Sequence, residues 1–242
     1  MRSSHLPSCK VAIVFTLFWL LSTSLKEGEI SSCIIFPPST TTSFPRLVMV
    51  ETLPTLQEFT LCYWFKIHRL DKRLHIFSYA HDAQSNEILT YVDVENVIGF
   101  YVSGTPELQV QCPYYLRIGK WHHVCYVWSS WEGQATLVVD SFGCHGNKTG
   151  MHKGGTVRSG GALVLGQDQD KVGGGFDPKQ NMEGRLSELH LWDSALNSEQ
   201  ILRLSRCTDI SERSIYGNLI RWEKTPFQFY DGVVLSPNNI CA

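Results

Sequence analysis

The chain has 242 residues, 43% of them hydrophobic and 18% charged, with a formal net charge of −2. Such a composition suits a globular protein with a sizeable core, and the charge balance excludes nucleic acid or an anionic membrane as a bulk electrostatic partner. The length allows one large β-domain or two small ones.

The first residues read as a leader rather than as part of a fold. Arg2 and Lys10 precede an apolar run over 11–21 (VAIVFTLFWLL), and the small residues Ser22, Thr23 and Ser24 follow it. A charged start, a short apolar centre and small residues at a cleavage point describe a secretory signal peptide over 1–24. The run is short for a bilayer span, and no other stretch is longer, so the mature protein is expected outside the cell. Cysteine usage agrees with that destination, where disulfides persist. Without Cys9 the chain keeps Cys33, Cys62, Cys112, Cys125, Cys144, Cys207 and Cys241, whose spacing lacks the paired CxxC pattern of a zinc site. An odd number leaves one thiol free or bridged to another molecule.

From about Ser32 the sequence reads as many short strands. In the segment 59–67, Phe59, Leu61, Tyr63, Phe65 and Ile67 fall on one face by the two-residue period. Cys62 and Trp64 lie on the other, so both faces of this strand are expected to be covered. Further strands are expected over 75–80, 87–93, 97–103, 121–129, 134–142, 162–167 and 185–192, separated by turn signals such as Glu132-Gly133 and Ser159-Gly160-Gly161. The sequon Asn147-Lys148-Thr149 falls between two of them, and an exposed Asn147 there would be glycosylated in the secretory path. One helix is expected after Asn197, with Gln200 three residues on as in a capping box, ending near Cys207. A closing strand over 218–222 follows. Many strands at this spacing with one helix imply an all-β fold, a two-sheet antiparallel sandwich in a single domain over 32–242.

One segment carries chemistry. Asp168, Gln169, Asp170, Asp177 and Gln180 lie within a short stretch interrupted by Gly173, Gly174 and Gly175. Calcium takes six to eight oxygen ligands from carboxylates, carbonyls and water. In an extended segment Asp168 and Asp170 share a side, and the glycines let the chain fold back towards them. Three gathered carboxylates repel unless a cation neutralises them; the plain alternative is a solvated acidic loop. Catalysis is not expected. His122 and His123 are adjacent on a strand and point to opposite faces, no Gly-x-Ser-x-Gly or HExxH occurs, and no strand carries the paired carboxylates of a sandwich-type glycosidase.

The segment His123-Val124-Cys125-Tyr126-Val127-Trp128-Ser129-Ser130 resembles the pentraxin signature, with Val127 in place of the usual hydroxyl residue. Laminin-G-like sandwiches share a looser version of the stretch 119–124. Further matches in order are Phe59-Thr60-Leu61-Cys62, Phe77-Ser78-Tyr79-Ala80 with Asn86-Glu87-Ile88-Leu89, and 165–170 with 173–177, Gln180 and Leu191-Trp192-Asp193. The resemblance runs from about Cys33 to Cys241.

The resemblance implies a jelly-roll sandwich of the concanavalin and laminin-G type, holding two adjacent calcium ions per subunit. Asp168 stands where many members have Glu. Gln169 would ligate through its backbone carbonyl, Asp170 would bridge both ions, and Asp177 and Gln180 would serve the outer one. Asn86 matches an amide ligand contributed by a distant loop. Ser85 stands where Asp is usual, so a weakened inner site is expected. Tyr91 falls where the family has an aromatic or apolar residue lining a ligand pocket. Implied ligands are phosphocholine, phosphoethanolamine or carbohydrate, as in lectin-like pattern recognition in innate immunity, and the implied assembly is a cyclic pentamer. Cys62 and Cys125 match the family's core disulfide. Cys207, Cys241 and the stretch 218–222 match a bridge and segment seen in neuronal-type long pentraxins. Cys112 and Cys144 could then pair if their strands are neighbours, leaving Cys33 for an interchain bond. The competing reading is a calcium-independent adhesion or protein-interaction domain of pentraxin or laminin-G type.

Overall fold

The computed structural model describes residues 32–206, 215–237 and 240. The expected leader over 1–24, Cys207 and Cys241 lie outside these residues. The strands are β1 (Ser32–Phe36), β2 (Arg46–Met49), β3 (Glu58–Ile67), β4 (Leu74–His81), β5 (Gln84–Asp93), β6 (Val97–Val102), β7 (Leu108–Gln111), β8 (His122–Ser129), β9 (Gln134–Val139), β10 (Cys144–Lys148), β11 (Ala162–Leu165) and β12 (Gly184–Trp192). After them come helix α1 (Ser198–Leu204) and strands β13 (Ile220–Arg221), β14 (Phe227–Tyr230) and β15 (Val234–Pro237).

They form two antiparallel sheets. The first runs β10-β9-β8-β3-β12-β1-β15 with β13 on β12, and the second runs β14-β2-β11-β4-β5-β6-β7. β3 is central to the first sheet, and its alternation is realised: Phe59, Leu61, Tyr63, Phe65 and Ile67 are fully buried between the sheets. Each such side chain contributes about 1.5–3 kcal/mol by leaving water. The interior also carries polar links between sheets. The Tyr63 hydroxyl on β3 lies 2.9 Å from Thr90 Oγ1 on β5 and 2.9 Å from the Tyr126 hydroxyl on β8.

The outer face of β3 is covered too. Cys62 and Cys125 form a disulfide and pack with Val138, Trp192, Ile201 and Leu204 beneath α1. That helix starts as its sequence predicts: Asn197 Oδ1 accepts from the Gln200 N–H, and Gln200 Oε1 accepts from the Asn197 N–H. A second disulfide, Cys112–Cys144, joins the end of β7 to the start of β10. These are edge strands of opposite sheets, so this bond closes one side of the sandwich. Cys33 is the remaining described thiol, and it is buried on β1 between β12 and β15. Burial in this position overturns the expectation that Cys33 is available for an interchain bond.

Candidate functional site

The acidic segment is the connection from β11 to β12, lying against the outer side of the second sheet. Its two limbs are zipped together. The Met182 N–H donates to the Gly166 carbonyl, Gln167 bridges to Asn181, and the Asp168 N–H donates to the Gln180 carbonyl. Lys72 Nζ braces the returning limb from the β3–β4 connection, donating to the Pro178 carbonyl and Asn181 Oδ1, with Glu183 at 3.2 Å.

Gln169 ties the loop to the sheet. Its side-chain Nε2 donates to the carbonyls of Ser78 on β4 (2.8 Å) and Ala162 on β11 (3.1 Å), and its Oε1 accepts from the Gly173 N–H. A fully engaged amide leaves the backbone carbonyl as the part of Gln169 open to a metal. Gly175 has φ +76°, and a Cβ there would sit 2.9 Å from Asp170 Cβ. Only glycine permits that return past Asp170.

The carboxylates differ in environment. Asp168 is 5% exposed; its Oδ1 accepts from the Gln169 N–H, and its Oδ2 lies 3.3 Å from Gln180 Nε2 and 3.7 Å from His75 Nε2. Burial, and then the charge of Asp170, push its pKa from 3.8 to about 6, against the pull of the Gln169 N–H and Arg73. Burial, and then Arg73, push His75 down to about 4. His75 is therefore neutral beside Asp168 at neutral pH, and no ion pair forms despite the short separation. Asp170 is exposed, and no described hydrogen bond uses its carboxylate. Asp177 closes a turn by accepting the Gln180 N–H on its carbonyl and the Lys179 N–H on Oδ1.

Thus Asp168, Gln169 and Gln180 are in direct contact, Asp170 is beside them, and Asp177 sits at the turn before Gln180. Ser85 and Asn86 stand half-buried at the start of β5. Among the described residues no hydrogen bond joins them to the loop; Asn86 instead bonds through its backbone to Gln84 and Gly104. The connection between the hairpin and the loop passes through Ala162, which contacts Gln169 and pairs with Ala80 near the tip of the β4–β5 hairpin. The donor set is all oxygen, three of its members are carboxylates, and one of those is free. These residues fit a hard divalent cation.

Tyr91 lies flat and fully buried on β5. Its hydroxyl donates to Gln109 Oε1, and the Arg73 guanidinium covers its ring at 4.3 Å from the centroid. A ligand arriving there meets Arg73 before it meets the Tyr91 ring. His75 and Arg73 had no sequence signal; they join the site because β4 pairs with β5, His75 opposite Tyr91.

The remaining candidates are placed elsewhere. Asn147 is exposed on edge strand β10, with its Oδ1 accepting from Thr136 Oγ1. His122 is buried, its Nδ1 donating to Asp140 Oδ2 and its Nε2 accepting from the Arg117 N–H. Both ring nitrogens are therefore engaged in holding structure. His123 lies on the opposite face of β8 against Trp64 and the Cys62–Cys125 sulfurs, which are bonded to each other and offer no thiolate.

The Pentaxin family model matches residues 32–237. C-reactive protein 1.1 of Limulus polyphemus is 58% identical over 242 residues, the whole of both chains. Neuronal pentraxin-2 of Homo sapiens is 32% identical over 193 residues, 79% of this chain and 42% of that one. Among solved structures, a native heptameric SAP-like pentraxin from Limulus polyphemus superposes with a TM-score of 0.81 at 32% identity, covering 88% of this chain and 98% of that one. On fold, family model and whole-length similarity together, the chain belongs to the pentraxin family.

Proposed function

We propose that this chain is a secreted recognition protein that uses calcium held by the 168–180 loop to capture anionic head groups or carbohydrate. The observation that carries the reading is the pairing of a buried carboxylate, Asp168, with an exposed and unbonded one, Asp170, on a loop fixed to the sheet through Gln169. A buried carboxylate whose charge is disfavoured, beside a second negative charge, is a site that a divalent cation stabilises. Asp177 and Gln180 complete the outer position, and Asn86 with Ser85 the inner one. Two ions per subunit follow, with the inner one bound more weakly because Ser85 brings no charge. Exposed ions keep open positions for oxygens of a phosphate or sugar.

Secretion is supported by the leader-like segment over 1–24 and by two disulfides. No described helix is long and apolar enough to cross a membrane. A closed ring of identical subunits fits a family in which a Limulus relative is heptameric, and several weak sites on one side of a ring gain affinity by avidity. Asn147, exposed on β10, is the glycan acceptor in this reading.

The test is calcium titration calorimetry on wild type and Asp170→Ala, together with retention on phosphocholine and carbohydrate resins with and without chelator. Wild type should bind calcium and be released from resin by chelator, and Asp170→Ala should lose at least about a hundredfold in calcium affinity, having lost a charged ligand. Absence of calcium heat in wild type sinks the reading. Retention that survives chelator favours the calcium-independent adhesion alternative.

A further inference from the structure

Beside the loop lies a recess built to hold a cation, and the chain fills it itself. Tyr91 forms its floor. The ring can lie flat because β6 offers Gly99 beneath it: a Cβ at that position would be 2.5 Å from the Tyr91 hydroxyl. Tyr101 stands beside it with ring centroids 5.8 Å apart, and Asp93 and Glu107 supply negative charge around the two rings. Aromatic faces flanked by carboxylates attract ammonium and guanidinium groups. Here the occupant is Arg73, the residue immediately before β4. Its guanidinium lies 4.3 Å above the Tyr91 ring, its Nε donates to Asp93 Oδ2 at 2.7 Å, and its Nη2 lies 2.5 Å from the same oxygen. The Tyr101 hydroxyl lies against both Arg73 and Glu107. The recess adjoins the proposed calcium loop through His75, which pairs with Tyr91 and lies 3.7 Å from Asp168.

We propose that Arg73 sets the charge of the ligand this site accepts. By occupying the aromatic, acid-flanked recess with its own guanidinium, it leaves the loop to select a small anion, a phosphate monoester or carboxylate. A quaternary ammonium group on the same ligand then adds nothing, because its place is taken. The Arg73 side chain is 37% exposed, so its outer edge is presented to the incoming anion. The anion half rests on the calcium reading above; the filled recess rests on the contacts of Arg73 alone.

The experiment compares wild type, Arg73→Ala and the double variant Arg73→Ala/Glu107→Gln by titration calorimetry. The probes are inorganic phosphate and phosphocholine in saturating calcium, and choline alone with and without chelator. Wild type should bind the two phosphates within about threefold of each other and should not bind choline. Arg73→Ala should prefer phosphocholine by about tenfold, the size expected for one desolvated cation–aromatic contact, and should bind choline regardless of calcium. Glu107→Gln should reduce that gain. Arg73→Gln, which keeps a polar partner for Asp93, should move the same way by less, and serves if Arg73→Ala does not fold. Wild type already preferring phosphocholine tenfold, or an unchanged ratio in both Arg73 variants, overturns the proposal. Choline binding to Arg73→Ala with no phosphate binding by calcium-loaded wild type upholds the filled recess and overturns the calcium reading.

Discussion

The two sheets share a core but are covered on their outer faces by opposite chemistries. Over the first sheet, α1 sets Ile201 and Leu204 on Val138, Trp192 and the Cys62–Cys125 disulfide, an apolar seam. Over the second sheet the cover is a polar loop and one cation: Gln169 bonded to Ser78 and Ala162, Asp168 against His75, and Arg73 on Tyr91. The apolar cover removes hydrocarbon from water, which is favourable without any partner. The polar cover buries a carboxylate in a setting that disfavours its charge, and it leaves His75 Nδ1 without a hydrogen bond, which by itself costs about 1–3 kcal/mol. One face of the sandwich therefore supplies stability. The other stores a cost that a bound cation can offset, which is the usual thermodynamic position of a binding site.

The largest effect that would sharpen this contrast is on the apolar side. The Cys62–Cys125 bond closes a separation of 63 residues, for which the chain-entropy estimate is about 4 kcal/mol. Cys62→Ala/Cys125→Ala should lower the unfolding midpoint by about 10 °C while leaving calcium affinity unaltered. A calcium affinity that falls with it would mean the two faces are not independent.

Next comes the pH dependence of the polar side in calcium-free protein. Asp168 has a folded pKa of about 6 against 3.8, so the folded state holds the extra proton in that window. Its contribution to stability is present below about pH 4 and is lost as pH rises through 6, by about 3 kcal/mol. His75 works in the opposite sense. Its folded pKa of about 4 lies below 6.5, so its contribution is present above 6.5 and lost as pH falls through 4. The two slopes oppose in wild type, and Asp168→Asn should expose the His75 slope alone, with stability rising between pH 4 and 6.5. Urea unfolding in chelator across that range measures it; parallel curves for wild type and Asp168→Asn would break the comparison.

The smallest effect concerns the hairpin. Ser85→Asp would add a charge at the proposed inner position and should tighten calcium binding by about tenfold, since affinity follows ligand charge count. Calorimetry showing no gain would place Ser85 outside the calcium shell, consistent with the absence of a hydrogen bond from Ser85 to the loop.

Much of the fold was legible in the residues. Period-two alternation in β3 predicted its buried face, and the Asn197/Gln200 pair predicted the start of α1, because both signals are local. The short strands β1, β2, β7, β10, β14 and β15 were not identified. They are four or five residues long, and β10 (CHGNK) has no apolar alternation, its pairing being set by its neighbour β9.

For the site, the sequence by itself determined the inventory. Asp168, Asp170, Asp177 and Gln180 are close in the chain, so their common neighbourhood needs little more than a glycine-rich turn. Tertiary structure decided the surroundings of each one. Antiparallel pairing of β4 with β5 put His75 opposite Tyr91 and let Arg73 reach across to Asp93, a contact spanning 20 residues. The flanking of β1 by β12 and β15 closed over Cys33, which the cysteine count alone left open. The physical reason is common to these cases. Local patterns report which face a residue takes, whereas exposure, proton affinity and occupancy depend on what distant segments lay over that face.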